Sequence, residues 1–119
     1  HVVTFYELNP TPFNVNFEST SPPIVILSPN YGRGNYPNDV NNFTLTIRSN
    51  SEPLVLVFYF RHFDLEYQRV CAFDDLSLQG IKYCGTWETG RSIPFYLPEF
   101  SSFVVTFKTD HSVTRSGFE

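Results

Sequence analysis

The chain has 119 residues, a net charge of −4, and 8 Lys and Arg residues that never form a run. This length suits one domain with a modest core, and the charge excludes the basic surface that nucleic-acid binding requires. Hydrophobic residues make up 41% and charged residues 17%, which excludes a disordered acidic chain, and no stretch reaches the ~18–20 apolar residues of a membrane span.

Residues 1–20 are irregular in polarity, with Pro10 and Pro12 between short apolar pieces. This segment is compatible with an edge strand or with a flexible arm, and both alternatives stay open. No signal-peptide pattern follows His1. If the protein is secreted, we therefore expect its leader to have been removed or to be missing from this sequence.

The clear strand signals begin at Ile24–Leu27, an apolar run enclosed by prolines. Phe43–Arg48 alternates apolar and polar residues, which is typical of a strand with one buried face. Leu54–Phe60 is a continuous apolar run, and this pattern predicts a strand buried on both faces. Leu76–Leu78 and Ser102–Lys108 are further strand candidates. Turn-forming clusters separate these pieces, so the sequence predicts an all-β fold, an antiparallel two-sheet β-sandwich.

From Ser28 onward the chain carries a series of motifs that covers about three quarters of its length. In chain order they are SPNYG at 28–32, NYPND at 35–39, FTLTI at 43–47, HFDLE at 62–66, CAFDDLSL at 71–78, YCG at 83–85 and VVTFKTDHSVTRSGF at 104–118. This series resembles a CUB domain, an extracellular and non-catalytic module. The resemblance implies a jelly-roll-type sandwich in a secreted protein, with residues 1–20 as an N-terminal arm or edge strand and residues 21–119 as the CUB-like part of a single domain.

The chain departs from the usual family pattern at three places. Phe43 stands where the second cysteine of a common first disulfide would be, and Leu45 replaces a usual tryptophan. The family also continues past Gly117 and Phe118 with one more apolar strand segment. We therefore expect the chain to be a fragment of a longer protein or to have a shortened last strand.

Cys71 and Cys84 are the two cysteines of the chain. They could be buried free thiols, but the resemblance and an N-glycosylation sequon at Asn42 both favour an oxidising compartment and hence a disulfide. A bridge across so short a loop would contribute ~3 kcal/mol in the chain-entropy model. Asn42 is expected to carry a glycan if its side chain points outward.

Acidic residues are concentrated at Asp64, Glu66, Asp74 and Asp75, and Asp110 follows a later strand. Ca²⁺ takes six to eight hard oxygen ligands, and carboxylates on loops at one end of a sandwich can converge on such an ion. The alternative is a set of ordinary solvated loop acids. Asp64 is expected to fix its loop, and Asp75 to face solvent or a partner.

The resemblance sharpens the calcium hypothesis. It implies that three side chains bind Ca²⁺, namely Glu66, Asp74 and Asp110, with backbone oxygens near Ser112 and Val113 and with Tyr36 beside the site. In the family, such a site receives a Lys or Arg side chain of a protein partner. His111 and Ser112 are expected to contribute to the rim of this ligand-binding site.

The sequence therefore predicts a secreted module for calcium-dependent recognition of an extracellular protein. A glycan-binding module, as in the spermadhesins of seminal plasma, and a structural or dimerising module of a larger protein are the alternatives. Trp87 is interpreted either as an exposed sugar or interface anchor or, more commonly for such a residue, as a side chain that packs over the disulfide. No G-x-S-x-G or H-E-x-x-H motif is present, so we predict no enzyme activity and, from the charge and hydropathy, neither nucleic-acid binding nor membrane insertion.

Overall fold

The computed structural model describes residues 3–119, and the first two residues of the N-terminal segment lie outside this range. No helix occurs between residues 3 and 119, and so none there has the length and hydropathy to cross a membrane. The described residues form β-strands: β1 (Thr4–Glu7), β2 (Phe13–Asn16), β3 (Ile24–Leu27), β4 (Phe43–Arg48), β5 (Leu54–Phe60), β6 (Phe63–Asp64), β7 (Asp75–Leu78), β8 (Ile81–Tyr83), β9 (Thr86–Trp87), β10 (Arg91–Leu97), β11 (Ser102–Lys108) and β12 (Gly117–Phe118). The predicted all-β fold is confirmed.

One layer of the sandwich is a five-stranded sheet in the order β2-β4-β11-β7-β8. Side chains alternate between the two faces of a strand, so Leu45 and Ile47 of β4 point to the same side as their partners Val105 and Phe103 on β11. All four side chains are buried. This face supplies one half of the hydrophobic core.

The opposite layer consists of shorter sheets, with the pairs β1-β3 and β5-β10 and the three-stranded order β12-β6-β9. Phe58 of β5 and Phe95 of β10 cover the core, with ring centroids 5.2 Å and 4.9 Å from Phe103. Aromatic contacts between the layers contribute beyond their buried area. The molecule is therefore the two-layer sandwich that the sequence predicts.

Two strand pairs run parallel, although the sequence pattern favoured antiparallel pairing throughout. β1 pairs with β3 and β2 with β4 in parallel registers. A parallel pair requires a crossover connection, and β2 and β3 provide these crossovers because the first four strands alternate between the two layers. All the other strand pairs among residues 3–119 are antiparallel.

The prediction that Leu54–Phe60 is buried on both faces is wrong. Leu54, Leu56 and Phe60 are buried, whereas the exposed fractions of Val55, Val57 and Tyr59 are 66%, 63% and 56%. Residues of this strand alternate between buried and exposed although nearly all of them are apolar. The outer face is exposed because no second layer covers it among the described residues.

Candidate metal centre

Three of the predicted ligand residues lie at one end of the sandwich because of the strand pairing. Asp74 directly precedes β7 and Asp110 follows β11, and these strands are antiparallel with Lys108 opposite Asp75. Glu66 follows β6. The start of one strand and the end of its antiparallel neighbour meet at the same sheet end, which places Asp74 next to Asp110.

The three carboxylates converge on one point. One oxygen from each of Glu66, Asp74 and Asp110 lies within 4.8 Å of the other two. Asp74 is fully buried, while Glu66 and Asp110 are partly exposed. Glu66 Oε1 is buried and has no hydrogen-bond partner among the described residues. Three hard oxygen donors lie close together, and one of the three carboxylates has a buried oxygen without a hydrogen-bond partner. This combination fits a metal ion, so the triad can hold one.

Tyr36 links two of these residues. Its hydroxyl donates a hydrogen bond of 2.6 Å to Asp74 Oδ2 and accepts one of 3.0 Å from the backbone N–H of Glu66. Only 1% of the Tyr36 side chain is exposed. The family resemblance implied that Tyr36 lies beside the site, but it did not reveal that this hydroxyl sets the position of Asp74 relative to Glu66.

The second oxygen of Asp74 is also held by the protein. The backbone N–H of Asp110 donates a 2.9 Å hydrogen bond to Asp74 Oδ1. Asp110 in turn accepts a 3.3 Å hydrogen bond at Oδ1 from the backbone N–H of Ser112. The buried carboxylate is therefore fixed by two donors, and the Asp110 loop is folded around it.

Electrostatics oppose three bare carboxylates at this distance. Burial raises the pKa of Asp74, an effect that the hydrogen bonds from Tyr36 and the Asp110 backbone oppose and the charge of Asp110 reinforces. Burial followed by the charges of Asp110 and Asp74 raises the pKa of Glu66. Burial and the bond to Asp74 raise the pKa of Tyr36, so its hydroxyl stays a donor. A divalent cation among these groups would remove the repulsion.

The other predicted site residues lie on the loop after Asp110. His111, Ser112 and Val113 are all exposed. Val113 has a left-handed backbone with φ of 60°, a conformation that is unfavourable for a β-branched residue. The carbonyl oxygens of Ser112 and Val113 remain predicted ligands.

Asp64 lies outside the triad. It accepts hydrogen bonds from Thr86 Oγ1 at 2.8 Å, Arg115 Nε at 3.0 Å and Ser116 Oγ at 2.9 Å. These three partners belong to the segment at β9 and to the chain before β12. Asp64 therefore ties together the segments that surround the site, as expected for a loop-fixing residue.

The expectation that Asp75 faces solvent or a partner is wrong. Its side chain is 3% exposed, and Oδ2 has no hydrogen-bond partner among the described residues. Asp75 is paired across the sheet with Lys108, and it lines one pocket with Lys108 and Lys82. The aliphatic stems of lysine side chains can cover neighbouring groups. The position of Asp75 in the sequence does not reveal that two lysines lie beside it.

The disulfide is present between Cys71 and Cys84. It joins the loop from Glu66 to Asp74 to the segment after β8. Gln68 further orders this loop, because its side-chain oxygen accepts hydrogen bonds from the backbone N–H groups of Val70 and Ala72 at 2.8 Å and 2.9 Å. Two of the three carboxylates therefore lie at the ends of a cross-linked loop.

Trp87 packs within the protein against its neighbours on β6 and β10. Its ring stacks on Phe63 at a centroid distance of 3.8 Å, and the Arg91 guanidinium lies 3.9 Å from its centroid. A flat partner and a cation at these distances must occupy opposite faces of the ring. Both faces are therefore covered, and Trp87 offers no free surface on which a sugar could stack.

The sequence matches no protein-family model, whereas the fold has clear relatives among solved structures. The full extracellular region of zebrafish Gpr126/Adgrg6 is similar with a TM-score of 0.66 and 24% identity, over 90% of this chain and 14% of that one. The CUB1-EGF-CUB2 domains of rat MASP-1 are similar with a TM-score of 0.65 and 24% identity, over 91% of this chain and 40% of that one. The chain thus spans less than half of each neighbour, and the fold it shares with them is the CUB fold.

Proposed function

We propose that the chain is an extracellular, non-catalytic recognition module that binds Ca²⁺ through Glu66, Asp74 and Asp110 and uses the loaded site to hold a basic side chain of a protein partner. The observation that carries the proposal is the approach of three carboxylate oxygens to within 4.8 Å of one another around a fully buried aspartate. Tyr36 and the Asp110 backbone donate hydrogen bonds to Asp74, but the buried Glu66 Oε1 has no partner among the described residues, and carboxylates are rarely buried without one. A bound cation accounts for this arrangement.

Ca²⁺ suits this donor set better than a transition metal. All three side chains offer oxygen, and the cluster contains neither thiolate nor imidazole, the ligands that Zn²⁺ and similar ions prefer. The backbone oxygens of Ser112 and Val113, together with water, would complete the six to eight ligands that Ca²⁺ takes. The ion would supply positive charge that fixes the loops, with an affinity in the ~10⁻⁴–10⁻³ M range of extracellular modules.

The loaded site would keep a negative charge. Three ionised carboxylates carry three negative charges and a divalent ion carries two positive ones, so one unit remains. Glu66 and Asp110 are partly exposed, and His111 and Ser112 lie on the exposed loop beside Asp110. A Lys or Arg side chain of the partner can therefore form a charge-assisted hydrogen bond at this edge.

Two features support an extracellular location. The disulfide Cys71–Cys84 is typical of proteins from oxidising compartments. Asn42 of the Asn-Phe-Thr sequon is exposed, so an oligosaccharide transferase could reach it. Mass spectrometry of secreted protein should show a glycan at Asn42 that an Asn42→Gln variant lacks.

Isothermal titration calorimetry with Ca²⁺ tests the ion site directly. Wild type should bind one ion, whereas Glu66→Gln, Asp74→Ala and Asp110→Asn should each lose at least ~10-fold in affinity because a charged ligand is missing. Glu99→Gln is the matched control, since Glu99 is exposed and outside the cluster. Absence of binding to the wild type at millimolar Ca²⁺, or equal binding by all variants, would refute the ion site.

Capture of a basic side chain can be tested with a small probe. Nα-acetyl-lysine amide should shift the NMR signals of the His111 and Ser112 amides in Ca²⁺-loaded protein, and its uncharged isostere Nα-acetyl-norleucine amide should not. Shifts that persist in excess chelator would contradict the mechanism. Glycan binding that withstands Glu66→Gln, or a tight dimer that persists without Ca²⁺, would instead favour the lectin-like or the dimerising alternative.

A further inference from the structure

A polar cleft lies on the outer face of the five-stranded sheet. Its volume is about 390 Å³, which falls within the ~300–1,000 Å³ of small-ligand sites. Along β7 and β11 its lining residues alternate with buried core residues such as Leu76 and Phe107, so the cleft faces away from the core. The lining residues with polar or charged side chains are Asn42, Asp75, Ser77, Lys82, Thr106 and Lys108.

The strand register brings Asn42 and Asp75 to the same end of this cleft. Lys108 of β11 lies opposite Asp75 of β7. The pair of Phe43 and Phe107 ends the ladder between β4 and β11, so the next residues outward, Asn42 and Lys108, lie beside each other. Asn42, Lys108 and Asp75 therefore form one row across three neighbouring segments, and two strand spacings of ~4.8 Å separate Asn42 from Asp75.

Asp75 is the residue of the cleft that lacks a partner. Its side chain is 3% exposed, and Oδ2 forms no hydrogen bond within residues 3–119. No ion pair joins it to Lys82 or Lys108 in this range. A buried acceptor without a donor is unfavourable, so a ligand that donates a hydrogen bond to Oδ2 would be stabilised there.

The side chains of the cleft suit a neutral polyhydroxyl ligand better than an ion. An anion near Lys82 and Lys108 would also meet the carboxylate of Asp75, and a cation near Asp75 would meet two ammonium groups. Ser77 and Thr106 offer hydroxyls that both donate and accept hydrogen bonds. A sugar has hydroxyls of the same kind, so it can pair with the acceptor, the two donors and the two hydroxyls together.

We propose that the glycan of Asn42 folds back onto the sheet, with its first N-acetylglucosamine seated in this cleft and one of its N–H or O–H groups donating to Asp75 Oδ2. This inference rests on the glycosylation of Asn42 proposed above. The sugar is attached to a side chain that itself lines the cleft, so its effective concentration there is high. Lysine side chains have flexible four-carbon stems, so Lys82 and Lys108 can move apart and admit the ring to Asp75.

Thermal unfolding tests whether the sugar stabilises the fold. Protein secreted by a glycosylating host and trimmed to one N-acetylglucosamine should melt about 3–5 °C above the same chain made without glycan in a bacterial periplasm, as expected for one additional buried hydrogen bond. The comparison needs no substitution at Asn42, whose φ of 52° is better tolerated by Asn than by most residues. Asp75→Leu removes the acceptor with a side chain of similar size, and the sugar should then raise the melting temperature by less than half as much.

NMR tests the position of the sugar. In the trimmed protein, the acetyl methyl group should show nuclear Overhauser contacts with the methyl group of Thr106. A control that combines Asn42→Gln with Glu99→Asn moves the sequon to an exposed loop, where Phe100 and Ser101 complete it. The sugar of this control should show no contact with Thr106 and should give narrower lines.

The outcomes distinguish the failure of docking from the failure of glycosylation. Secreted protein with an unmodified Asn42 in mass spectrometry would overturn both. A sugar on Asn42 that makes no contact with Thr106, or that is as mobile as the sugar of the control, would overturn the docking alone. An equal rise in melting temperature in wild type and Asp75→Leu would refute the hydrogen bond to Asp75.

Discussion

The Tyr36 hydroxyl fixes the geometry of the candidate site, because it donates a hydrogen bond to Asp74 Oδ2 and accepts one from the Glu66 backbone. Tyr36→Phe should leave these buried groups unpaired and lower the free energy of unfolding by about 1–3 kcal/mol. It should also weaken Ca²⁺ binding about 10–100-fold, as loss of an outer-shell partner does in other metal sites. Urea unfolding and calorimetry measure the two effects.

Tyr96→Phe is the control for this change, since Tyr96 is 67% exposed on β10. It should leave both stability and Ca²⁺ affinity unchanged. A Tyr36→Phe variant that binds Ca²⁺ as well as wild type would show that the hydroxyl only contributes to folding.

Gly117 is a position where the backbone and the packing both require glycine. Its φ is +94°, and a Cβ there would overlap Ser28 Oγ and lie 2.9 Å from Ser28 Cβ. Ser28 is fully buried and its hydroxyl oxygen accepts a hydrogen bond from the Phe118 N–H at 2.9 Å. Gly117→Ala should therefore destabilise the protein by about 2–5 kcal/mol through strain and overpacking, measured by urea unfolding.

Gly32→Ala separates the two causes. Gly32 has φ of +82°, but a Cβ added there would have no atom within 4 Å, so only the left-handed backbone is penalised, by about 1–2 kcal/mol. Equal losses in the two variants would mean that the contact with Ser28 is readily relieved.

In strand β5, apolar residues differ in burial from one position to the next. Leu56→Ala should cost about 2–5 kcal/mol because Leu56 is 6% exposed in the core. Val57→Ala should change the free energy of unfolding by no more than about 0.5 kcal/mol because Val57 is 63% exposed. A large loss at Val57, measured by urea unfolding, would indicate that its outer face is covered in solution.

The strands that the sequence predicted are those with strong local signals. Ile24–Leu27, Phe43–Arg48, Leu54–Phe60 and Ser102–Lys108 match β3, β4, β5 and β11 in the structure. β10 was missed because it contains Pro94, which has no N–H for a sheet ladder. Pro94 lies opposite Val57, and β10 is paired only with β5 among the described residues, so an edge position accommodates it.

The candidate site was also predictable only where residue type and local motifs carry the signal. Glu66, Asp74 and Asp110 could be singled out by residue type and by the motifs around them, and the structure brings them together. The burial of Asp75 could not be foreseen, because its neighbours Lys82 and Lys108 lie on other strands. These two lysines come close to Asp75 only because β7 pairs with β8 and with β11.

For the whole molecule, Ca²⁺ binding should appear as added stability. An ion that binds only the folded state stabilises it by RT ln(1 + [L]/Kd), about 2.7 kcal/mol at a concentration of 100 Kd. Wild type should therefore melt at a higher temperature in Ca²⁺ than in EGTA, and Asp110→Asn should show a smaller rise because its affinity is lower. An equal rise in the two proteins would indicate a nonspecific salt effect.

The placement of Trp87 gives the molecule an optical reporter. It is the one tryptophan of the chain, it pairs with Phe63 on β6, and the adjacent Leu65 N–H donates a 2.9 Å hydrogen bond to the Gly85 carbonyl. The Trp87 strand is thus hydrogen-bonded to the segment that leads into Glu66. Its fluorescence emission can therefore follow the ordering of that segment in real time, without any label.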